Sequence, residues 1–355
     1  MQDIRLSATA RVSLPTPVHY LDKLTDHFAE HGDVVRTAHR GQIALSYGIA
    51  TIEADEESLF LYAESTDETG LAYVKYSIAE HVIEFARHEQ PKIIWAGHGS
   101  AGSLLPYFRE MQVVSAKDIS PHMRRLRLRG KEMQRFAYGG MHVRILIPPA
   151  DIENPQWPVT GEDGRPVWPE GDFKLVSRVY TIRNIDPESG EMDIDVVTHD
   201  GTPGSEWALG AAEGDVVGMT GPGGGDAGEA DWYLLAGDET ALPAIGRIIE
   251  RLPAHAKVVA RIEVDGPLEE QQFLAGCDLD LIWLHRNGRE AGTTTLLQDA
   301  VRGVEFPSKD ERIFVWSGCE FNAFKAIRGY VRKERKLERA QHLVVSYWRR
   351  GVAEE

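Results

Sequence analysis

Cysteine is nearly missing from this chain: Cys277 and Cys319 are the only two in 355 residues. That excludes a disulfide scaffold and a cysteine-ligated cluster, and it fits a reducing compartment such as the cytoplasm. Long apolar runs are missing too. No stretch is long enough to span a bilayer, and Met1-Gln2-Asp3-Ile4-Arg5 lacks the basic start and apolar run of a secretion signal. Positive charge is the third scarcity, with 39 Lys and Arg against 55 Asp and Glu and a formal net charge of -16. A surface of that sign repels nucleic acid and anionic membranes, so neither is expected as a partner. Metal-ligand spacings are also thin. Histidines 19, 27, 31, 39, 81 and 88 are scattered, and although His27 and His31 are four apart and suit one helix face, no further ligand group backs them. No metal site is expected.

What is present is length for two or three domains. Residues 1–92 read as a small α+β domain, with strands around 8–14, 43–52 and 59–63, a helix from Pro17 to Glu30 and another from Gly70 to His88. Residues 93–110, holding Gly97-His98-Gly99-Ser100-Ala101-Gly102, read as a linker; without a following Gly-Lys-Ser/Thr they do not make a phosphate loop. A second domain spans 111–228. It begins with strands at Met111–Ser115, His122–Gly130 and Gly140–Pro148, and the Pro/Gly/Trp-rich stretch 154–172 reads as a long loop in which Trp157 and Trp168 either roof a ligand or pin the loop.

Next comes Arg178-Val179-Tyr180-Thr181-Ile182-Arg183. On extended backbone these residues put a guanidinium, a flat ring and a hydroxyl side by side, the groups that a flavin nucleotide needs for its phosphate, its ring and its ring edge. The same hexapeptide also suits a half-solvated strand. A strand then runs into His199-Asp200-Gly201-Thr202-Pro203-Gly204-Ser205-Glu206-Trp207, a turn and helix start with Ser205 expected as N-cap, where free N–H groups suit a diphosphate. From 229 to 355 buried strands alternate with helices, which implies a parallel sheet with its ligand at the strands' carboxyl ends. Gly237-Asp238-Glu239-Thr240 and Gly318-Cys319-Glu320 lie at two such ends, a basic helix runs from Asn322 to Lys336, and Ser346-Tyr347-Trp348-Arg349-Arg350-Gly351 closes the pattern.

The series RVYTIR, HDGTPGSEWA, GPGG, LLAGDETALPAIGRI and SYWRRG, in that order over roughly residues 111–351, resembles the siderophore-interacting proteins, flavin-dependent ferric-siderophore reductases of the ferredoxin-reductase superfamily. The resemblance implies an antiparallel flavin-binding β-barrel followed by an α/β nicotinamide-binding domain, behind a small N-terminal domain that resembles an uncharacterised one fused to some family members. It implies FAD as cofactor, NADH or NADPH as electron donor, a ferric siderophore as substrate and a ferredoxin as a further possible partner. Arg178, Tyr180, Thr181, His199, Gly204, Ser205 and Trp207 match the family's flavin contacts. Gly204 stands where alanine is usual and Thr202 where glycine is usual.

Gly237, Asp238, Thr240, Cys319 and Glu320 match the turns flanking the nicotinamide; Cys319 replaces a glycine and reads equally as a small buried thiol. Asp265 leans towards NADH, whereas Arg261, Arg286 and Arg289 lean towards NADPH. Trp348 is expected to dock, at the flavin face or at the domain interface. Arg183, Arg286 and Arg349 are the candidates for holding the siderophore. Electron transfer through a flavin needs no acid, base or nucleophile from the protein. A general flavin or ferredoxin reductase and a non-catalytic flavin or siderophore sensor are the alternatives.

Overall fold

The computed structural model describes residues 5–199, 201–308 and 311–352; Asp200 of the HDGT motif and Met1–Ile4 lie outside them. The chain divides into two compact units, residues 1–108 with 149–174, and residues 109–148 with 175–355. In the first unit, β1 (Leu6–Ser13), α1 (Pro17–Phe28), β2 (Asp33–Arg36), β3 (Arg40–Leu45), β4 (Gly48–Ala54), β5 (Ser58–Ser65), α2 (Glu68–Phe85) and β6 (Ala96–Gly97) give an antiparallel sheet ordered β2-β3-β4-β5-β1-β6. Alternating residues of β1 (Ala8, Ala10, Val12) and of β5 (Leu59, Leu61, Ala63) are buried against Leu21, Leu24, Val74 and Ile78 of the two helices. That is the period-2 against period-3.6 pattern of a sheet covered by helices.

The stretch read as a linker is part of this unit. β6 pairs with β1, and the buried Lys75 of α2 donates to the carbonyls of His98 (3.3 Å) and Gly99 (2.8 Å). So is the 154–172 segment read as a long loop of the second domain. Its hairpin, β10 (Val159–Thr160) with β11 (Pro166–Val167), receives the indole N–H of Trp95 on the Asp163 carbonyl at 2.9 Å. Trp157 lies 5.4 Å from the Phe108 ring, and Trp168 is exposed.

In the second unit, β7 (Phe108–Ser120), β8 (Met123–Gly130), β9 (His142–Ile147), β12 (Val176–Asp186), β13 (Glu191–Val197) and β14 (Val216–Gly223) close a barrel ordered β12-β13-β8-β7-β14-β9, with α3 (Pro203–Gly210) between the last two strands in sequence. Leu126, Leu128, Val143, Ile145, Ile182 and Ile194 fill it, and closure leaves no strand edge unpaired. The basic residues of β8 alternate outward onto acidic β13: Arg125 forks onto Asp195 at 2.6 and 2.8 Å, and Arg127 onto Asp193 at 2.8 and 2.9 Å.

After the barrel, β15 (Trp232–Gly237), α4 (Leu242–Arg251), β16 (Lys257–Val264), β17 (Asp278–His285), α5 (Leu296–Arg302), β18 (Ile313–Glu320), α6 (Phe321–Gly329) and β19 (His342–Trp348) form a parallel sheet ordered β17-β16-β15-β18-β19. Central β15 is buried throughout, as a strand covered on both faces must be. The basic helix is shorter than expected: α6 ends at Gly329 and continues as one π-helical turn, Tyr330–Glu334.

Candidate functional site

Two seats adjoin the barrel and the parallel sheet. The first is built by β12 and α3. Arg178, Tyr180 and Thr181 lie within one stretch of β12 and are registered against Ile145, Val143 and His142 of β9. Thr181 is buried, and the guanidinium of Arg178 is steadied by its donation to the Ser177 carbonyl at 2.8 Å.

Opposite them lies the start of α3. The N-cap is Thr202, in extended conformation, and Pro203 takes the first helical position, where its fixed φ suits the helix and its missing N–H costs nothing. Ser205 is therefore not the cap, as the sequence had suggested. Its hydroxyl instead accepts the His199 N–H at 2.8 Å, which folds the exit of β13 onto the helix. Pro203 has no N–H, and the amides of Gly204 and Ser205 precede the first intrahelical bond, from Glu206 N to the Thr202 carbonyl at 2.9 Å. Two donors and the positive end of a helix dipole thus face outwards from α3.

Gly204 brings the halves together. A Cβ built there would meet the Tyr180 hydroxyl at 2.5 Å and Arg178 Cγ at 3.3 Å, so the flavin-strand side chains lie directly on the helix start. Trp207, one turn further on, has its ring 6.3 Å from that of Tyr180, and His199 Nε2 is 3.5 Å from the Thr202 hydroxyl. The structure thus gathers Arg178, Tyr180, Thr181, His199, Gly204, Ser205 and Trp207 around one helix terminus. A guanidinium, two amides, two aromatic rings and a buried hydroxyl fit a dinucleotide whose flat ring is apolar and whose diphosphate is anionic.

The second seat lies at the carboxyl ends of β15, β16 and β18. A cavity of about 220 Å³ is lined there by residues including Asp238, Glu263, Gly292, Thr293, Glu320 and Asn322. Asp238 is its hub. Oδ1 accepts from the Thr240 amide (3.0 Å) and hydroxyl (2.5 Å), and Oδ2 accepts from the Glu320 amide and the Trp348 indole N–H, both at 2.9 Å. Burial, followed by the neighbouring Glu239, nevertheless pushes the Asp238 carboxyl up to about 6. Trp348 docks in this way by hydrogen-bonding at the strand ends, beside Gly292, where an added Cβ would lie 3.0 Å from the indole. Glu320 caps α6 through Asn322 N and also accepts from Arg350 N at 3.3 Å. Gly237 sits so close to Ala241 and the Gly318 carbonyl that a Cβ would meet them at 2.5 and 2.7 Å.

Several expected ligand groups are already engaged. The Cys319 thiol packs in the core with Trp232, Leu234 and Ile327, and burial raises its pKa far above the ordinary thiol value, as for a small buried thiol. Arg183 forks onto Glu250 of α4 at 2.6 and 2.8 Å, and Arg286, buried, forks onto Glu239 at 2.9 and 2.5 Å. Their terminal nitrogens are engaged in ion pairs within the fold. Asp265 accepts the Gly288 amide at 3.1 Å. Arg349 differs: it is exposed, 4.7 Å above the Phe321 ring.

Sequence reading missed His142. This residue opposes Thr181 on β9, and its Nε2 lies 2.7 Å from the Tyr347 hydroxyl. Burial, with Arg247 next, lowers its pKa to about 4, and burial raises that of Tyr347, so the tyrosine donates to a neutral imidazole. It also missed Glu269, buried, which accepts from the Ser120 hydroxyl (2.5 Å), from His122 N (3.1 Å) and from His122 Nδ1 (2.6 Å). Neither carries a motif, because each partner comes from a distant element.

Comparison with known proteins matches residues 112–226 to the siderophore-interacting FAD-binding domain, 230–351 to the siderophore-interacting protein family, and 9–96 to an uncharacterized protein conserved in bacteria (DUF2218). The ferric vibriobactin reductase ViuB of Vibrio cholerae is 33% identical over 254 residues, 70% of this chain and 92% of the relative. The NADPH-dependent ferric-chelate reductase of Escherichia coli is 30% identical over 219 residues, 59% of this chain and 80% of the relative. The crystal structure of a siderophore utilization protein from T. fusca superposes with a TM-score of 0.59 at 37% identity, covering 72% of this chain and 97% of the other.

Proposed function

The chain belongs to the siderophore-interacting protein family, and on that premise we propose that it is an FAD-dependent ferric-siderophore reductase, drawing electrons from NADH or NADPH and releasing Fe(II) in the cytoplasm. The observation that carries the reading is the seat in which Gly204 lets the start of α3 approach Arg178 and Tyr180. When bound, FAD would supply the conversion between the paired electrons of a nicotinamide and the single electron that ferric iron accepts.

The chain's own work is binding and exclusion of water. Arg178 and the amides of Gly204 and Ser205 would hold the diphosphate, Tyr180 and Trp207 would offer flat apolar surface, and Thr181 and His199 would supply hydrogen-bonding groups to the cofactor. Gly237, Asp238, Thr240 and Glu320 shape the nicotinamide crevice, with Trp348 fixed at its rim by Asp238. Arg349 offers its charge to an anionic ferric chelate. Reduction lowers the charge on iron, which weakens its hold on hard oxygen ligands and lets it leave.

Titration of the purified protein with FAD, followed by flavin fluorescence, tests the seat. One equivalent binds, and Arg178→Ala weakens binding by about tenfold, as expected for loss of a charge-assisted hydrogen bond. Failure to bind FAD would remove the reading. A preference for reducing a ferredoxin over any ferric siderophore would replace it with a general reductase.

A further inference from the structure

The glycine run at the exit of β14 lets the last strand of the parallel sheet close onto the barrel within the second unit. Gly224 has a φ of +76°, and a Cβ there would run into Nδ1 of His142 on β9. A Cβ on Gly225 would lie 2.7 Å from Leu343 of β19. Side chains at either position would hold the two strands apart.

What the closure brings together is His142 and Tyr347. His142 is registered against Thr181 of β12, and residues directly opposite in an antiparallel pair share a face, so the imidazole lies beside the flavin strand. Its Nε2 accepts the Tyr347 hydroxyl at 2.7 Å, with the two rings edge-on at 5.5 Å. On the other strand, Ser346 pairs with Cys319 and Trp348 with Glu320, which leaves Tyr347 as the extra residue of a bulge, a device that re-aims a side chain. The re-aimed ring lies directly on Gly318, where a Cβ would meet it at 2.9 Å, and edge-on to Trp316. Gly318 belongs to the strand end that delivers Glu320 to the nicotinamide crevice, and the residue after Tyr347, Trp348, donates to Asp238 at the hub of that crevice. Two successive residues of β19 therefore reach both seats.

We infer that His142 and Tyr347 are a positioning pair for transfer between the seats: their hydrogen bond fixes β19, and with it the nicotinamide crevice, against the flavin strand beside Thr181. The inference rests on the reductase reading, because only a reaction between two bound partners makes their spacing matter. Transfer of that kind is steep in distance, and a misplacement of about 1 Å costs up to about 100-fold in rate.

The test is stopped-flow anaerobic bleaching of the FAD-saturated full chain at saturating NADH or NADPH, whichever bleaches wild type faster. Tyr347→Phe keeps the ring on Gly318 and loses only the hydroxyl, His142→Leu loses the acceptor, and His142→Gln keeps one. The first two slow bleaching by about tenfold, as expected for a lost positioning contact. His142→Gln retains most of the rate, and Tyr347→Phe combined with His142→Leu is no slower than the slower single variant. In FAD-free protein, backbone hydrogen exchange over residues 342–348 speeds up in Tyr347→Phe. A pair that merely stabilised the fold would lower the urea midpoint and leave the bleaching rate of the loaded protein unchanged; that result, or unchanged exchange, overturns the inference alone. Wild type that binds FAD and is bleached by neither nicotinamide overturns the reductase reading, and this inference with it.

Discussion

At Gly204 the side chain is excluded by a neighbour, because a Cβ would press on the Tyr180 hydroxyl at 2.5 Å. Gly204→Ala must displace that tyrosine, an overpacking cost of about 1–3 kcal/mol. FAD affinity is expected to fall by about tenfold at roughly 1.4 kcal/mol, and Tyr180→Phe in the same chain, which removes the clashing oxygen, restores most of it; flavin fluorescence titration reads both. Asp238 makes a second residue-scale prediction. Its folded pKa of about 6 exceeds the ordinary 3.8, so between these values the native state holds a proton that the unfolded chain has lost. Its contribution to stability is full below about pH 3.8 and is lost as pH rises through about 6. Asp238→Asn does not titrate, so the stability difference between wild type and variant in urea shrinks from about pH 4 to about pH 7, by on the order of 2–3 kcal/mol. An unchanged difference would refute the assignment. Arg178, Tyr180 and Thr181 could be grouped beforehand because they lie on one strand, whereas their approach to Gly204 of α3 is visible only in the fold. The ion pairs of Arg183 with Glu250 and of Arg286 with Glu239 were not legible, because those carboxylates come from other elements.

Among elements, α4 of the parallel-sheet part packs against β12. Arg247 donates to the Ile182 carbonyl at 2.6 Å, and Arg183, only three residues from Tyr180 on β12, is neutralised by Glu250. Glu250→Ala strands a guanidinium whose side chain is only 11% exposed, at a cost of about 2–4 kcal/mol, whereas Glu250→Gln costs less because it still accepts a hydrogen bond. Chemical denaturation measures both, and equal stability of wild type and Glu250→Ala would contradict the account. Strands β15, β16 and β18 were readable as apolar runs flanked by turn residues. The start of α3 was misread by attending to Ser205, when the proline at 203 marks the first helical position. Residues 154–172 have no periodicity at all, and their attachment through Trp95 and Arg165 depends on partners in α2 and the 93–108 stretch.

For the molecule as a whole, the parallel sheet and the N-terminal α+β unit were legible from periodicity and turn residues, whereas the barrel was expected only from the family resemblance, because periodicity marks its strands and not how they close. Not legible was that residues 149–174 leave the barrel sequence and pack with residues 1–108. The large acidic excess is partly organised: Arg125, Arg127 and Arg129 on the barrel each meet a carboxylate of β13, while the α6 cations lie over aromatic rings, Lys325 4.8 Å from Phe321 and Arg328 5.5 Å from Phe324. Among the described residues no helix is long and apolar enough to cross a membrane. The central claim is that one chain joins a nicotinamide to ferric iron through FAD. Its most direct test is an anaerobic absorption spectrum of the FAD-loaded protein, first with NADH or NADPH and then with a ferric siderophore and a ferrous-iron trap. The account predicts flavin bands that bleach with the nicotinamide and recover as trapped Fe(II) appears; bands that ignore both nicotinamides, or that bleach and never yield Fe(II), would contradict it.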